Sequence, residues 1–179
     1  GMYEYFKNIA SKVKIPIVIY NVPGRTGVNI AAETTIRLAQ ECPNIIGIKE
    51  ASGNLVQATN ILKETPETFS LMSGEDALNM PLMAIGAKGC ISVTANVVPR
   101  LMSEHIASCL NMDFATAREQ HKHLAWLNDL MFIETNPIPA KEALHMMGMI
   151  APEFRLPMCR LQDKNLQTLK EGLKAYKLI

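Results

Sequence analysis

The chain has 179 residues, 48% of them hydrophobic, which suits one domain with a substantial core. A formal net charge of +1, no basic run and 6% aromatic residues argue against nucleic acid and anionic membrane as partners. No stretch is long and apolar enough to span a bilayer, the first residues do not read as a signal sequence, and Cys42, Cys90, Cys109 and Cys159 lack paired spacing, so reduced thiols in a cytoplasmic protein are expected.

Phe6, Ile9, Ala10 and Val13 recur at helical spacing, so the chain opens within or at the start of a helix that has no obvious N-cap. Pro16 to Tyr20 reads as a buried strand. It runs into the loop N-V-P-G-R-T-G, which a proline and two glycines make a compact turn. A helix over Ala32 to Glu41 stops before Pro43. Ile45, Ile46 and Ile48 then read as a strand buried on both faces, as in parallel sheets, with Ala51 to Asn54 as its exit loop. A helix from about Leu55 to Lys63, a strand over Phe69 to Met72 and a helix from Ala77 to about Ile85 follow. Pro81 should kink that last helix, because it removes a backbone donor and crowds the preceding turn. Gly89 to Val93 is the fourth strand and Thr94 to Asn96 its exit loop. Pro99 suits the first turn of a helix to about Leu110. Strand-then-helix units without a hairpin signal argue for a parallel sheet.

Beyond Asn111 only helices are expected. Asp113 reads as the N-cap of a long helix through Phe132. N-P-I-P at Asn136 to Pro139 opens another that Gly148 ends, and Asp163 caps a last one with Leu166, Leu169, Leu173 and Tyr176 on its buried side. The change of pattern divides the chain into an α/β part, residues 1–112, and a helical part, residues 113–179.

Tyr20, Arg25 and Lys49 all leave the C-terminal ends of strands, where parallel α/β folds place ligands. A lysine in apolar surroundings tends to lose its proton, and only the neutral amine attacks a carbonyl carbon. Lys49 is therefore a candidate Schiff-base nucleophile; the same position also fits a lysine whose amine runs out to solvent. Other patterns carry less. His121 and His123, two apart on a helix, point to different faces and make a poor metal pair. Glu142 and His145 have the spacing of half a di-iron site with no second copy. His105 reads as a surface or helix-end residue, G-A-K-G at Gly86 lacks the phosphate-loop spacing, and H-M-M-G-M reads as core filler. On these patterns alone, a doubly wound sheet binding a small anion at Tyr20 to Gly27 is an alternative.

Taken together, Y-N-V-P-G-R-T-G at Tyr20 to Gly27, G-I-K-E-A-S-G-N at Gly47 to Asn54, G-C-I-S-V-T-A-N at Gly89 to Asn96 and N-P-I-P-A-K at Asn136 to Lys141 resemble the dihydrodipicolinate synthase and N-acetylneuraminate lyase family. The resemblance implies an α/β fold, a (β/α)8 TIM barrel with C-terminal helices. It further implies that this chain is the C-terminal half, with about four parallel strands over residues 1–112 and a three-helix extension over residues 113–179. Lys49 matches the lysine that forms a Schiff base with pyruvate, and Tyr20 the tyrosine that shuttles protons. Arg25 matches the arginine that receives the carboxylate of the second substrate. Ile91 matches the residue whose carbonyl lies against bound pyruvate, and Gly74 a glycine that lets backbone approach the site. Asn136 matches a residue one layer out, or simply holds the N-P-I-P turn.

Arg25 and the T-A-N loop resemble the branch that condenses pyruvate with L-aspartate 4-semialdehyde in lysine biosynthesis. The alternatives are N-acetylneuraminate lyase, a keto-deoxy-sugar-acid aldolase, or a truncated fragment or assembly module without turnover. No cofactor or metal is implied beyond the covalent lysine–pyruvate imine. The remaining strands, with the groups that complete the proton relay and the carboxylate cradle, are expected to precede Gly1. A parallel half-barrel would leave its first and last strand edges unpaired and its interior side chains wet. A homo-oligomer is therefore expected, such as a twofold dimer that completes the barrel by setting the strand of Tyr20 beside the partner's Gly89 to Val93 strand. An N-terminal half on a separate chain is the alternative.

Overall fold

The computed structural model describes residues 1–179, which divide into two compact units, Gly1–Ile91 and Ser92–Ile179. The first holds α1 (Met2–Lys12), β1 (Ile17–Asn21), α2 (Pro23–Thr26), α3 (Ala32–Glu41), β2 (Ile45–Glu50), α4 (Leu55–Glu64), β3 (Ser70–Ser73), α5 (Asn79–Ala84) and β4 (Gly89–Cys90). Its four strands pair in sequence order and all run parallel.

Ile19, Ile48 and Leu71 stand in register on one face of this sheet and are at most 1% exposed. Leu38 of α3 and Ile61 of α4, both 0% exposed, complete that core. Burying each such side chain contributes about 1.5–3 kcal/mol. The opposite face is open: Val18 and Tyr20 of β1 are 44% and 47% exposed. The expectation of a strand buried on both faces is thus corrected. Lys49 is half-buried, and Ile46, at an irregularity in the β1–β2 register, is 42% exposed. Helices cover one face, and period-two alternation delivers every second side chain to the other.

Three local expectations also change. The fourth strand is Gly89–Cys90 rather than Gly89 to Val93, because its one neighbour, β3, ends at Ser73; the Ile91 N–H makes a last bond to the Ser73 carbonyl at 2.8 Å. Pro81 does not kink a helix from Ala77. A 3₁₀ turn, Asp76–Leu78, precedes α5, so Pro81 falls in the first turn of α5, where its missing N–H has no intrahelical partner to lose. The N-V-P-G-R-T-G loop contains one helical turn, α2, which Pro23 starts and Gly27 ends at φ 71°.

The second unit holds a 3₁₀ turn (Thr94–Asn96), α6 (Pro99–Leu110), α7 (Phe114–Leu130), α8 (Ile138–Met146) and α9 (Asp163–Ala175). The compact division falls at Ile91/Ser92, ahead of the change of pattern at Asn111, because α6 packs on α7. Asp113 caps α7 by accepting from the Thr116 N–H at 3.1 Å, and the Thr116 side chain, ahead of that backbone bond, lowers its carboxyl pKa. Asp163 does not cap α9; it lies in the first turn, and Glu134 reaches in from a distance, its Oε1 accepting from Gln162 N and Asn165 Nδ2 at 2.9 Å each. Leu124, Leu127, Leu169 and Leu173 form the core between α7 and α9.

His105, expected at the surface, is 1% exposed beneath α7, its ring 5.9 Å from that of His121. Burial, ahead of the His121 charge, lowers its pKa. The methionine run is not core filler, since α8 ends at Met146, the chain turns at Gly148 and Met149 is 65% exposed. Glu142, 0% exposed, takes a two-pronged pair from Arg160, both N···O distances being 2.8 Å. His145 turns its Nδ1 to the Ile150 carbonyl at 3.1 Å.

Candidate active site

In the first unit, strand register sets the site. Tyr20 pairs with Lys49 and Lys49 with Met72, one residue before the ends of β1, β2 and β3. Alternation turns these three side chains to the open face. The Lys49 Nζ stands 4.2 Å from the centroid of the Tyr20 ring. An amine and a phenol thus share one small volume at the C-terminal ends of adjacent parallel strands, open to solvent on one side.

Gly74 follows β3, and its N–H donates to the Glu50 carbonyl at 2.8 Å. A Cβ there would meet Ala51 Cβ at 2.7 Å, the Glu50 carbonyl oxygen at 3.1 Å and Lys49 Cε at 3.1 Å. Only a residue without a side chain leaves the Lys49 stem this path. Ile91, two residues beyond the Gly89 that pairs with Met72, continues the same face and is 46% exposed. Arg25 sits on the exposed turn α2, immediately after β1. An apolar hollow of about 190 Å³ beside Tyr20 is lined by Tyr5, Phe6, Val22, Val28 and Ile30 among others.

Lys49, Tyr20 and Gly74 are therefore brought into contact or near-contact, with Ile91 on the same face and Arg25 at the edge. Asn136 belongs to the other unit, at the turn before α8. Glu75, next to Gly74, has its carboxyl pKa raised, chiefly by burial. No three His, Cys, Asp or Glu side chains cluster as a metal would require.

Sequence reasoning missed the layer behind the pair. Asn21 and Glu50, each 2% exposed, directly follow Tyr20 and Lys49 and pair with each other in register. The Asn21 Nδ2 donates to Glu50 Oε1 and Oε2 at 3.2 and 3.0 Å. A signal was present: if Tyr20 and Lys49 face outward, their successors must face the helices, where an amide and a carboxylate need partners.

A model of the Dihydrodipicolinate synthetase family matches residues 1–176. A protein of Archaeoglobus fulgidus named 4-hydroxy-tetrahydrodipicolinate synthase is 49% identical over 179 residues, covering 100% of this chain and 62% of the relative. The crystal structure of dihydrodipicolinate synthase from Aquifex aeolicus is 49% identical with a TM-score of 0.98, covering 99% of this chain and 61% of that one. The chloride-inhibited dihydrodipicolinate synthase from Acinetobacter baumannii, complexed with pyruvate, is 41% identical with a TM-score of 0.96, covering 100% and 61%. The chain spans about three fifths of the length of the curated relatives it matches, rather than half. These matches measure the extent of overlap and not its position along the relatives.

Proposed function

The chain belongs to the dihydrodipicolinate synthetase family, and on that premise we propose that it carries the nucleophile of a lysine-dependent lyase that condenses pyruvate with L-aspartate 4-semialdehyde. The Lys49 Nζ attacks C2 of pyruvate, and the carbinolamine loses water to an imine. The imine loses a methyl proton to become an enamine, whose carbon attacks the aldehyde. Tyr20 passes the protons. Arg25 receives the carboxylate of the aldehyde substrate, for which its planar fork is suited. The Ile91 carbonyl lies against the keto acid, and Gly74 leaves room for the Lys49 stem. Asn136 holds the N-P-I-P turn of its own unit. The imine nitrogen serves as the electron sink, so the reading calls for no metal or cofactor.

The observation that carries this reading is the Lys49 amine 4.2 Å from the Tyr20 ring at the ends of paired parallel strands. The pyruvate in the Acinetobacter baumannii structure supports a keto acid as the ligand class. Borohydride reduction with pyruvate, followed by intact mass and a peptide map, tests it. A pyruvyl adduct on Lys49, absent from Lys49→Ala, is expected. A folded protein that gives no adduct would instead be a module without turnover. Assays with the semialdehyde against keto-deoxy sugar acids then separate the synthase from the aldolases.

The unpaired outer edges of β1 and β4, with Val18, Tyr20 and Ile91 exposed beside them, support self-association of the chain. A folded monomer in light scattering at low concentration would end that proposal. The cytoplasmic setting rests on the four cysteines, none of which is in a disulfide.

A further inference from the structure

Glu50 is a buried carboxylate with no cation within ion-pair distance. Its oxygens take four hydrogen-bond contacts from neutral groups: two from Asn21 Nδ2, one from Gln57 Nε2 at 3.2 Å and one from the Ser52 N–H at 2.6 Å. A carboxylate away from water persists only where its lone pairs are met, and here they are met by groups from separate segments. Asn21 extends the connection, because its Oδ1 accepts from the Ile30 N–H at 3.1 Å and its Nδ2 donates to Asn29 Oδ1 at 2.8 Å. Asn29 in turn exchanges bonds with Gln57, the first-turn residue of α4, at 2.8 and 3.3 Å.

The segments tied in this way are those that bear the site. Asn21 adjoins Tyr20, Glu50 adjoins Lys49, and Asn29 and Ile30 close the loop that carries Arg25. A shift of either strand end would change the placement of the Lys49 amine, 4.2 Å from the centroid of the Tyr20 ring. We infer that Glu50 and Asn21 are positioning residues, which hold Lys49, Tyr20 and the Arg25 loop in their working arrangement from the covered side of the sheet. The inference rests on the proposed imine chemistry but makes a geometric claim of its own. Glu50 touches no reacting atom, since alternation turns it away from the open face.

The test is a donor–acceptor exchange. Glu50→Gln places an amide donor opposite the Asn21 and Gln57 donors, and Asn21→Asp in that background restores an acceptor. Pyruvate trapping at Lys49 should slow by about 10–100-fold in Glu50→Gln, as expected for a misplacement near 1 Å, and recover to within about threefold in the double variant. An unchanged rate in folded Glu50→Gln, or a loss that the double variant does not recover, overturns the inference. If Glu50→Gln does not fold, Gln57→Ala, which removes one donor, should slow trapping by about threefold, and an unchanged rate counts against the proposal. If the parent forms no adduct, the imine reading fails while the geometric claim is still decided. The rate of Lys49 acylation at fixed pH, mapped by peptide mass, must then differ between the parent and Glu50→Gln but agree between the parent and the exchange variant; identical rates in all three overturn it.

Discussion

Gly74→Ala is the most exposing single change in the site. The added Cβ would lie 2.7 Å from Ala51 Cβ, 3.1 Å from the Glu50 carbonyl oxygen and 3.1 Å from Lys49 Cε. The first distance falls about 1 Å short of the carbon–carbon optimum near 3.5–4.0 Å. Two of the three neighbours are a backbone oxygen and a Cβ fixed to backbone, so the β2–β3 junction has to shift instead of one flexible side chain turning away. Overpacking of this kind costs about 1–3 kcal/mol. With a urea slope of about 2 kcal/mol/M, the unfolding midpoint should drop by about 0.5–1.5 M. The Lys49 stem is displaced by the same atom, so pyruvate trapping should slow by about 10–100-fold. Gly24→Ala, where a Cβ meets nothing within 4 Å, is the control and should leave the midpoint unchanged or slightly raised. If Gly74→Ala keeps both the midpoint and the trapping rate of the parent, the close approach has no consequence and the reasoning is refuted.

Leu71→Ala, at a side chain with 0% exposure, should destabilise by about 2–5 kcal/mol in urea unfolding without changing the residue that pyruvate labels. Asn54→Ala removes the side chain that accepts the Gln57 N–H at 2.9 Å at the start of α4, and should cost about 1 kcal/mol in the same assay. The Glu41 carboxyl accepts from the Tyr3 hydroxyl and from Arg37, which hold its pKa down from 4.5 to about 2. Because the folded value is the lower one, this contribution is present above pH 4.5 and is lost as pH falls toward about 2. Glu41→Gln should flatten acid unfolding in that window, and salt should weaken the effect at this exposed cluster. The buried Glu142 carboxyl is likewise lowered, first by its Arg160 bonds, so Arg160→Ala should destabilise most at neutral pH and least where Glu142 is protonated, read as the pH dependence of Tm.

Elements whose signals are local were legible. Pro43 and the helical spacing before it mark the end of α3, and Asp113 caps α7 through a bond to a residue three places on. The strand ends that present Tyr20 and Lys49 could be read from apolar runs meeting turn residues. Where a partner lies far along the chain, the pattern misled. Asp163 had the composition of a cap, yet it lies inside the first turn of α9, where Glu134 accepts from the N-cap Gln162 N–H and the Asn165 side chain. His105 looked polar and peripheral, yet α7 buries it.

The sequence by itself determined the order of strands and helices, the parallel pairing and the placement of a lysine, a tyrosine and an arginine at strand ends, because period, turn chemistry and proline placement act within a few residues. Tertiary structure alone decided that Tyr20 and Lys49 stand on the same row of the open face, that Gly74 opens the space beside the lysine stem, and that Glu50 is buried against Asn21 and Gln57. Those facts depend on register between strands tens of residues apart. Register is set by the combined packing of a whole sheet face against its helices, which no short window of sequence contains.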